Sequence, residues 1–376
     1  MAFSKIKILF LINTLTGGGA EKVLVDLVNN LNAEKYDITV QTVVNRGVHL
    51  QSLGKHIHYK SINTIKNKWL SNLWLYMVNF ILPPSIVYRL FIKGDYDYEV
   101  SFLEGVPTKL LSASTSRKSK KYAWVHTDLS ACYGHEKVFP DIKRHIECYK
   151  KYNKIFCVSK SAKEGFIKLF GITENVSVLY NPVDNIKIKE LAKEPVEDII
   201  IPDVVKLISV GRLTYLKGYD RLLEVCAKLK NEDNLKFQLW LLGEGEDKSA
   251  LEKYILNNDL SDYVKLEGFK INPYKYIDKS DIFICSSITE GFSTVVTEAV
   301  ILEKVLVTTD CAGMKEILGN SEYGLIVENS VDGLYYGIRQ ILEDRNSYLY
   351  YKNKVRERSR DFQLQKRIKE IEQYFI

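Results

Sequence analysis

Two glutamates, Glu290 and Glu298, bracket Gly291-Phe292-Ser293-Thr294 between an apolar run ending at Cys285 and an apolar run from Val295 to Leu302. The first run predicts a strand and the second a helix, which puts one carboxylate on the connecting loop and the other a turn inside the helix. Small residues between them leave main-chain N–H groups open at a helix start, a favourable place for an anion. One carboxylate there is explained by helix stability alone. A pair of them with basic residues upstream points instead to a phosphorylated sugar.

Those basic residues stand in Ser209-Val210-Gly211-Arg212-Leu213-Thr214-Tyr215-Leu216-Lys217-Gly218, another strand-to-helix connection. Arginine presents a fork of donors to phosphate oxygens and lysine a mobile point charge, so Arg212 and Lys217 suit a diphosphate. Solvated loop charges are the ordinary alternative at this point. Gly17, Gly18 and Gly19, within Thr14 to Glu21, join the first strand to the first helix and allow close main-chain approach to a ligand. Their spacing is not G-x-G-x-x-G, which opposes a nicotinamide-dependent oxidoreductase. His126 ends a further strand at Trp124-Val125-His126, on the edge where ligands gather. A structural histidine is the plain alternative.

The elements that must position these groups alternate between strand and helix. Strands are expected at Ile6–Ile12, Asp37–Val43, Tyr98–Phe102, Lys121–Val125, Lys154–Val158 and Val176–Tyr180, then at Val205–Val210, Phe237–Leu242, Val264–Glu267, Ile282–Cys285 and Val305–Thr308. Helices are expected at Ala20–Leu31 and Ser161–Leu169, and later at Gly218–Lys230, Ser249–Asn257, Thr294–Leu302 and Val331–Glu343. The pattern predicts two α/β, Rossmann-like, doubly wound domains facing across a cleft. The expected boundaries are 1–184 for the first domain, 185–203 for a linker, 204–355 for the second domain, and 356–376 for a helix that crosses back onto the first.

At 376 residues the chain has length for two cores, and 46% hydrophobic with 27% charged residues places it among globular proteins. The six cysteines have no metal-ligand spacing, and several sit in apolar runs (Cys157, Cys285) where buried free thiols are expected, which suits a reducing cytosol. The run from Ile6 to Ile12 is too short for a signal-peptide core and is expected to be a strand. Residues 1–184 hold 25 Lys and Arg against 15 Asp and Glu, while residues 185–376 hold 28 against 32. A basic first half suits a membrane surface, a polyphosphate or nucleic acid, and equally an ordinary solvated surface. Residues 66–92 combine Trp69, Leu73, Trp74, Phe80 and Ile81 with Pro83-Pro84 and flanking Lys66, Lys68, Arg89 and Lys93. Two prolines and an arginine oppose a spanning helix, leaving a membrane-contact segment or a buried helix-turn-helix.

Taken together, these segments resemble glycosyltransferase family 4. The resemblance rests on Arg212 with Lys217, on Glu290-Gly291-Phe292 leading to Glu298, and on Gly17-Gly18-Gly19-Ala20-Glu21. Val158-Ser159-Lys160-Ser161, Tyr180-Asn181-Pro182-Val183-Asp184 and Cys311-Ala312-Gly313-Met314-Lys315-Glu316 add to it. It runs over residues 6–345 and is weakest at 45–100. It implies a GT-B fold and a retaining, metal-independent hexosyltransferase of bacterial capsular polysaccharide, exopolysaccharide or O-antigen synthesis. Arg212 and Lys217 would hold the diphosphate of a UDP-sugar, Glu298 the ribose, and Glu290 the donor sugar. Gly291, Phe292, Ser293 and Thr294 would surround sugar and phosphate, with His126 and the Gly17–Gly19 loop completing the site from the first domain. The expected partners are the nucleotide-sugar donor, a saccharide acceptor carried on lipid, and the inner face of the cell membrane, with no nucleic acid and no cofactor. A soluble acceptor, or donor binding without transfer, are the alternatives.

Overall fold

The computed structural model describes residues 4–132, 138–201 and 203–376. The chain divides into two units. The first comprises Met1–Pro182 with Gln365–Ile376, and the second Val183–Leu364.

The first unit is built on seven strands: β1 (Ile6–Ile12), β2 (Tyr36–Val44), β3 (His58–Asn63), β4 (Tyr98–Ser101), β5 (Lys120–Val125), β6 (Lys154–Cys157) and β7 (Val176–Val178). Their order is β3-β2-β1-β4-β5-β6-β7, with every neighbouring pair parallel. β1 lies in the middle, and its residues Ile8 to Ile12 are wholly buried. A central parallel strand covered on both faces reads as a continuous apolar run for this reason. Strand order reverses direction between β1 and β4, so their carboxyl ends mark the point where ligands bind in such sheets.

The C-terminal residues belong to this unit. The helix Leu364–Glu372 buries Ile368 and Ile371, and Phe375 behind it is fully covered. The Phe375 ring lies 5.2 Å from that of Tyr98 and 6.2 Å from that of Phe10, both edge-on. The Tyr122 hydroxyl donates to the Tyr374 carbonyl at 2.9 Å. The single helix expected over 356–376 is thus two. Arg345–Ser359 belongs to the second unit, and a break at Arg360 to Gln363 precedes Leu364–Glu372.

The second unit has six strands: β8 (Val205–Val210), β9 (Phe237–Leu242), β10 (Val264–Gly268), β11 (Ile282–Cys285), β12 (Val305–Thr309) and β13 (Leu325–Val327). Their order is β10-β9-β8-β11-β12-β13, again all parallel. The reversal falls between β8 and β11. Those are the strands that lead into the Arg212–Lys217 loop and the Glu290 loop.

The linker expected over 185–203 is not wholly irregular. Asn185–Leu191 is a helix, started by the Asp184 carboxylate accepting the Lys187 N–H at 3.0 Å. It buries Ile188. Pro202 lies outside the described residues. Over residues 66–92 the chain forms the helix Lys68–Tyr76, a wider π-type turn Met77–Ile81 and the helix Pro84–Phe91. No helix among the described residues is long and apolar enough to cross a membrane.

Candidate active site

Lys217 closes a 3₁₀ turn, Tyr215–Lys217, on the loop after β8. The loop is tied to the one after β11 by main-chain and side-chain bonds. The Ile288 N–H donates to the Leu216 carbonyl at 2.9 Å, and the Ser286 hydroxyl to the Lys217 carbonyl at 2.8 Å. Gly218 follows with φ +62°, and a Cβ there would stand 2.4 Å from the Ser286 carbonyl oxygen. Only glycine allows both the left-handed turn and this approach. Arg221 and Asn329 brace the same loop from behind. Arg221 Nη2 donates to the Ser286 carbonyl at 2.7 Å, and Asn329 Nδ2 to the Ile288 carbonyl at 2.9 Å.

The two loops bring Lys217 Nζ to 2.5 Å from Glu290 Oε1, although the residues are 73 apart in sequence. The Ser287 hydroxyl donates to the same oxygen at 2.7 Å. The pair is mostly sheltered, with the Lys217 side chain 22% and the Glu290 side chain 13% exposed. Burial alone would weaken the hold of the ammonium on its proton, but the Glu290 carboxylate outweighs this and keeps Lys217 above its ordinary pKa. Lys217 is therefore a fixed positive charge. Arg212, on the same loop, is exposed and its side chain has no hydrogen bond or ion pair among the described residues.

Beyond Glu290 the chain enters the helix Thr294–Ile301 with Ser293 at its N-cap. The Ser293 side chain makes no capping bond, and its buried hydroxyl has no partner among the described residues. Among the described residues the first-turn amides of Thr294 to Val296 have no side-chain cap, at the positive end of the helix. Phe292 is buried beside them, and Gly291 packs so closely on Gly313 that a Cβ at the latter would lie 2.4 Å from the Gly291 carbonyl oxygen. Glu298, a turn into the helix, is buried and accepts the Tyr274 hydroxyl at 3.1 Å. This one unit thus gathers Lys217, Glu290, Gly291, Phe292, Ser293, Thr294 and Glu298 around the switch between β8 and β11, with Arg212 at the loop's exposed start.

The other candidates belong to the first unit. His126 follows β5, buried against Phe102, with ring centroids 5.0 Å apart. Burial pushes its pKa down to about 3, against a smaller opposing effect from a hydrogen bond to the Phe102 main chain. The ring is neutral near pH 7, and its buried Nε2 has no partner among the described residues. It offers a hydrogen bond rather than a charge. Gly17, Gly18 and Gly19 follow β1, and the helix Gly19–Asn30 starts at Gly18 without a side-chain capping bond. Here the first-turn Glu21 folds back. Its Oε2 stands 2.1 Å from where a Gly18 Cβ would be, and Oε1 accepts the Thr16 hydroxyl at 3.3 Å. The two glycine-flanked helix starts therefore differ, one open and one covered by its own carboxylate.

Several positioning residues were not singled out from sequence. Glu104, buried after β4, accepts the His126 N–H at 2.5 Å and the Thr127 N–H at 2.9 Å, fixing the turn that carries the imidazole. A glutamate directly beyond a strand and before Gly105 was its available signal. Ser287 lies inside the Glu290 segment, but nothing in its type distinguishes it from the other small residues there. Tyr274 and Asn329 are too far away in sequence to carry any signal. Among the described residues no group of three His, Cys, Asp or Glu side chains comes together as metal ligands would.

Comparison with known proteins bears on the whole chain. Residues 196–358 match the family described as Glycosyl transferases group 1, and residues 17–185 that described as Glycosyltransferase Family 4. The chain is 33% identical over 231 residues to the N-acetylgalactosamine-N,N'-diacetylbacillosaminyl-diphospho-undecaprenol 4-alpha-N-acetylgalactosaminyltransferase of Campylobacter jejuni, covering 61% of each. It is 27% identical over 203 residues to the amylovoran biosynthesis glycosyltransferase AmsK of Erwinia amylovora, covering 48% of this chain and 47% of that protein. The matched stretches span about half to three fifths of the length of these relatives. The crystal structure of Anabaena Alr3699/HepE with UDP and glucose superimposes with a TM-score of 0.77 at 18% identity, covering 98% of this chain and 99% of that one.

Proposed function

We propose that this chain, which belongs to the glycosyltransferases of family 4 and group 1, transfers a hexose or N-acetylhexosamine from a UDP-sugar, with retention. The acceptor is a lipid-carried saccharide in cell-surface polysaccharide synthesis, met at the inner face of the cell membrane. The observation that carries the reading is the sheltered Lys217–Glu290 pair beside the open helix start at Thr294. Breaking a sugar–diphosphate bond leaves negative charge on the departing oxygen. A fixed ammonium and uncapped amides are preorganised to receive it. Arg212, free on the loop, takes the outer part of the same diphosphate. Glu298 with Tyr274 is assigned to the ribose, and His126 with the Gly17–Gly19 loop to the acceptor side.

Retention has two routes, and the Lys217–Glu290 contact favours one. A carboxylate nucleophile has to attack from the side of the sugar opposite the leaving group. Glu290 instead touches the ammonium assigned to the leaving group, which supports a position on the departing side. This favours the front-face route, with the leaving phosphate helping to deprotonate the acceptor hydroxyl. The Campylobacter jejuni relative, an alpha-N-acetylgalactosaminyltransferase acting on a diphospho-undecaprenol, supports both the linkage and the lipid-carried acceptor.

A panel of nucleotide sugars, with free UDP, GDP and NAD, tests the reading by thermal shift in the presence of EDTA. One UDP-sugar should stabilise the protein beyond UDP itself, and transfer from it should persist without divalent metal because cations of the chain neutralise the diphosphate. Stabilisation by GDP-sugars alone would overturn the donor. Strict dependence of transfer on a metal would overturn the role given to Lys217 and Arg212.

A further inference from the structure

From residue 38 to residue 94 the chain has no Asp or Glu, yet it carries seven Lys or Arg. Within that stretch, the helix Lys68–Tyr76 and the turn after it are apolar on the wrong side. Trp69 is 70% exposed, Leu73 45%, Tyr76 55%, Phe80 55% and Ile81 62%, and Leu90 of the next helix is 58% exposed. Trp69, Leu73, Tyr76 and Phe80 follow one another at intervals of four, three and four residues, which sets these four on one side of the segment, with Ile81 next to Phe80. The Tyr76 and Phe80 rings meet at 5.2 Å. The inward side is apolar as well, through Val78, Val87 and Tyr88. Isolated exposed apolar residues are ordinary, but a run of them on one element marks a contact surface.

The segment is held in place rather than loose. Asn67 caps its first helix by accepting the Trp69 and Leu70 N–H groups at 3.0 and 3.1 Å. Lys109 Nζ donates to the Asn79 carbonyl at 2.6 Å, Gln41 Nε2 to the Phe91 carbonyl at 3.0 Å, and the Tyr88 hydroxyl to Glu99 at 2.8 Å. The inner side is thereby spent on the core of the unit, and the outer side is presented to something else.

We infer that this face docks on the surface of an anionic lipid bilayer. Trp69, Leu73, Tyr76, Phe80, Ile81 and Leu90 enter the boundary between headgroups and acyl chains. Lys66, Arg89 and Lys93, all exposed, lie among the headgroup phosphates. Charge selects this occupant. A stretch without one carboxylate meets phosphates with no repulsion. A symmetric contact with a second copy of the chain would set basic residues against basic residues, with no acid from either segment to pair them. The helices are too short to span, so they lie in the plane of the surface. The use of such a face rests on the lipid-carried acceptor proposed above, but its test does not.

The full-length chain is sedimented with vesicles of phosphatidylcholine alone and of phosphatidylcholine with phosphatidylglycerol. It should pellet with the anionic vesicles and be released in part by added salt. The triple variant Trp69→Ser, Phe80→Ser, Ile81→Ser should bind those vesicles at least roughly tenfold more weakly while keeping its melting temperature and its UDP response. Lys66→Glu with Arg89→Glu should weaken binding to anionic vesicles without changing the low binding to neutral ones. A wild-type chain that stays in the supernatant with both vesicles, or a triple variant that pellets like wild type, overturns the inference. So does a lipid-free dimer that the triple variant turns into a monomer, which would assign the face to a second copy. Vesicle binding is read without any sugar transfer, so failure of the transferase reading and failure of this one are told apart.

Discussion

Under the proposed transfer, Lys217→Ala should lower kcat by roughly 10²–10³-fold, the loss expected when one preorganised donor to a developing anion is removed. The effect falls on kcat rather than KM because charge on the departing diphosphate is greatest in the transition state. Two features suit the lysine to that role. Its ammonium is held by Glu290 Oε1 at 2.5 Å, so little reorganisation precedes the reaction. Its side chain is also largely withdrawn from water, where a charge acts more strongly on its neighbours. Removing it leaves Glu290 with the Ser287 hydroxyl at 2.7 Å and without its cation, so some stability is lost too. Turnover should therefore be measured well below the melting temperature of the variant and scaled to its folded fraction. Arg212→Ala, at an exposed and unpaired position, should mainly raise the KM for the donor. Near wild-type kcat in Lys217→Ala would remove the leaving-group role from this lysine.

That site was half legible in the sequence. The types and local spacing of Arg212, Lys217 and Glu290 placed each on a strand-to-helix connection and Glu298 a turn inside the following helix, and the structure puts those connections at the sheet reversal. Their meeting was not legible. Lys217 and Glu290 come together because β8 and β11 are neighbours in the sheet order β10-β9-β8-β11-β12-β13, a fact of tertiary pairing. Nor could spacing show that Glu21 covers one helix start while Ser293 leaves the other uncapped. Both starts read alike as small residues before an apolar run.

The strands show the same division. Buried central strands such as β1 announce themselves as unbroken apolar runs. β3, with sequence His58-Tyr59-Lys60-Ser61-Ile62-Asn63, was missed because an edge strand with a half-exposed face has no such run. β13 is only three residues long and also lies at an edge, too short for a period to register. The helix Asn185–Leu191 had its capping Asp184 in plain view, but its charged residues and single buried Ile188 hid the pattern. Conversely, the apolar positions Phe362, Leu364, Ile368, Ile371 and Phe375 were readable as a helical pattern, and all but the half-buried Phe362 are buried.

Acidification should unfold the first unit well before the second. All six histidines of the chain lie between residues 49 and 145, so the second unit has none. Among the described residues, two of those in the first, His126 and His145, are buried. Burial pushes His126 down to about 3, against a partly opposing bond to Phe102, and pushes His145, stacked 3.8 Å from Phe139, down to about 4. Both folded values lie below the ordinary 6.5. Above that pH neither state of the chain is protonated at these rings, and their contribution to stability is complete. As pH falls through 6.5 the unfolded chain takes up two protons that the folded unit refuses. Stability then drops by roughly 3 kcal/mol per pH unit, until the folded rings themselves titrate. By pH 4.5 the loss reaches roughly 5 kcal/mol, comparable to the whole stability of many domains. In the second unit the Asp198 carboxyl is held down at about 2 by its bonds to Lys270 and Tyr276, so it stays ionised at that point. Calorimetry between pH 7.5 and 4.5 should show one transition moving down while the other holds. His145→Phe, which keeps the stack and removes the titrating group, should roughly halve the slope of the moving transition, and adding His126→Asn should flatten it further. Equal slopes in wild type and the double variant would mean that these two rings are not what makes the first unit sensitive to acid.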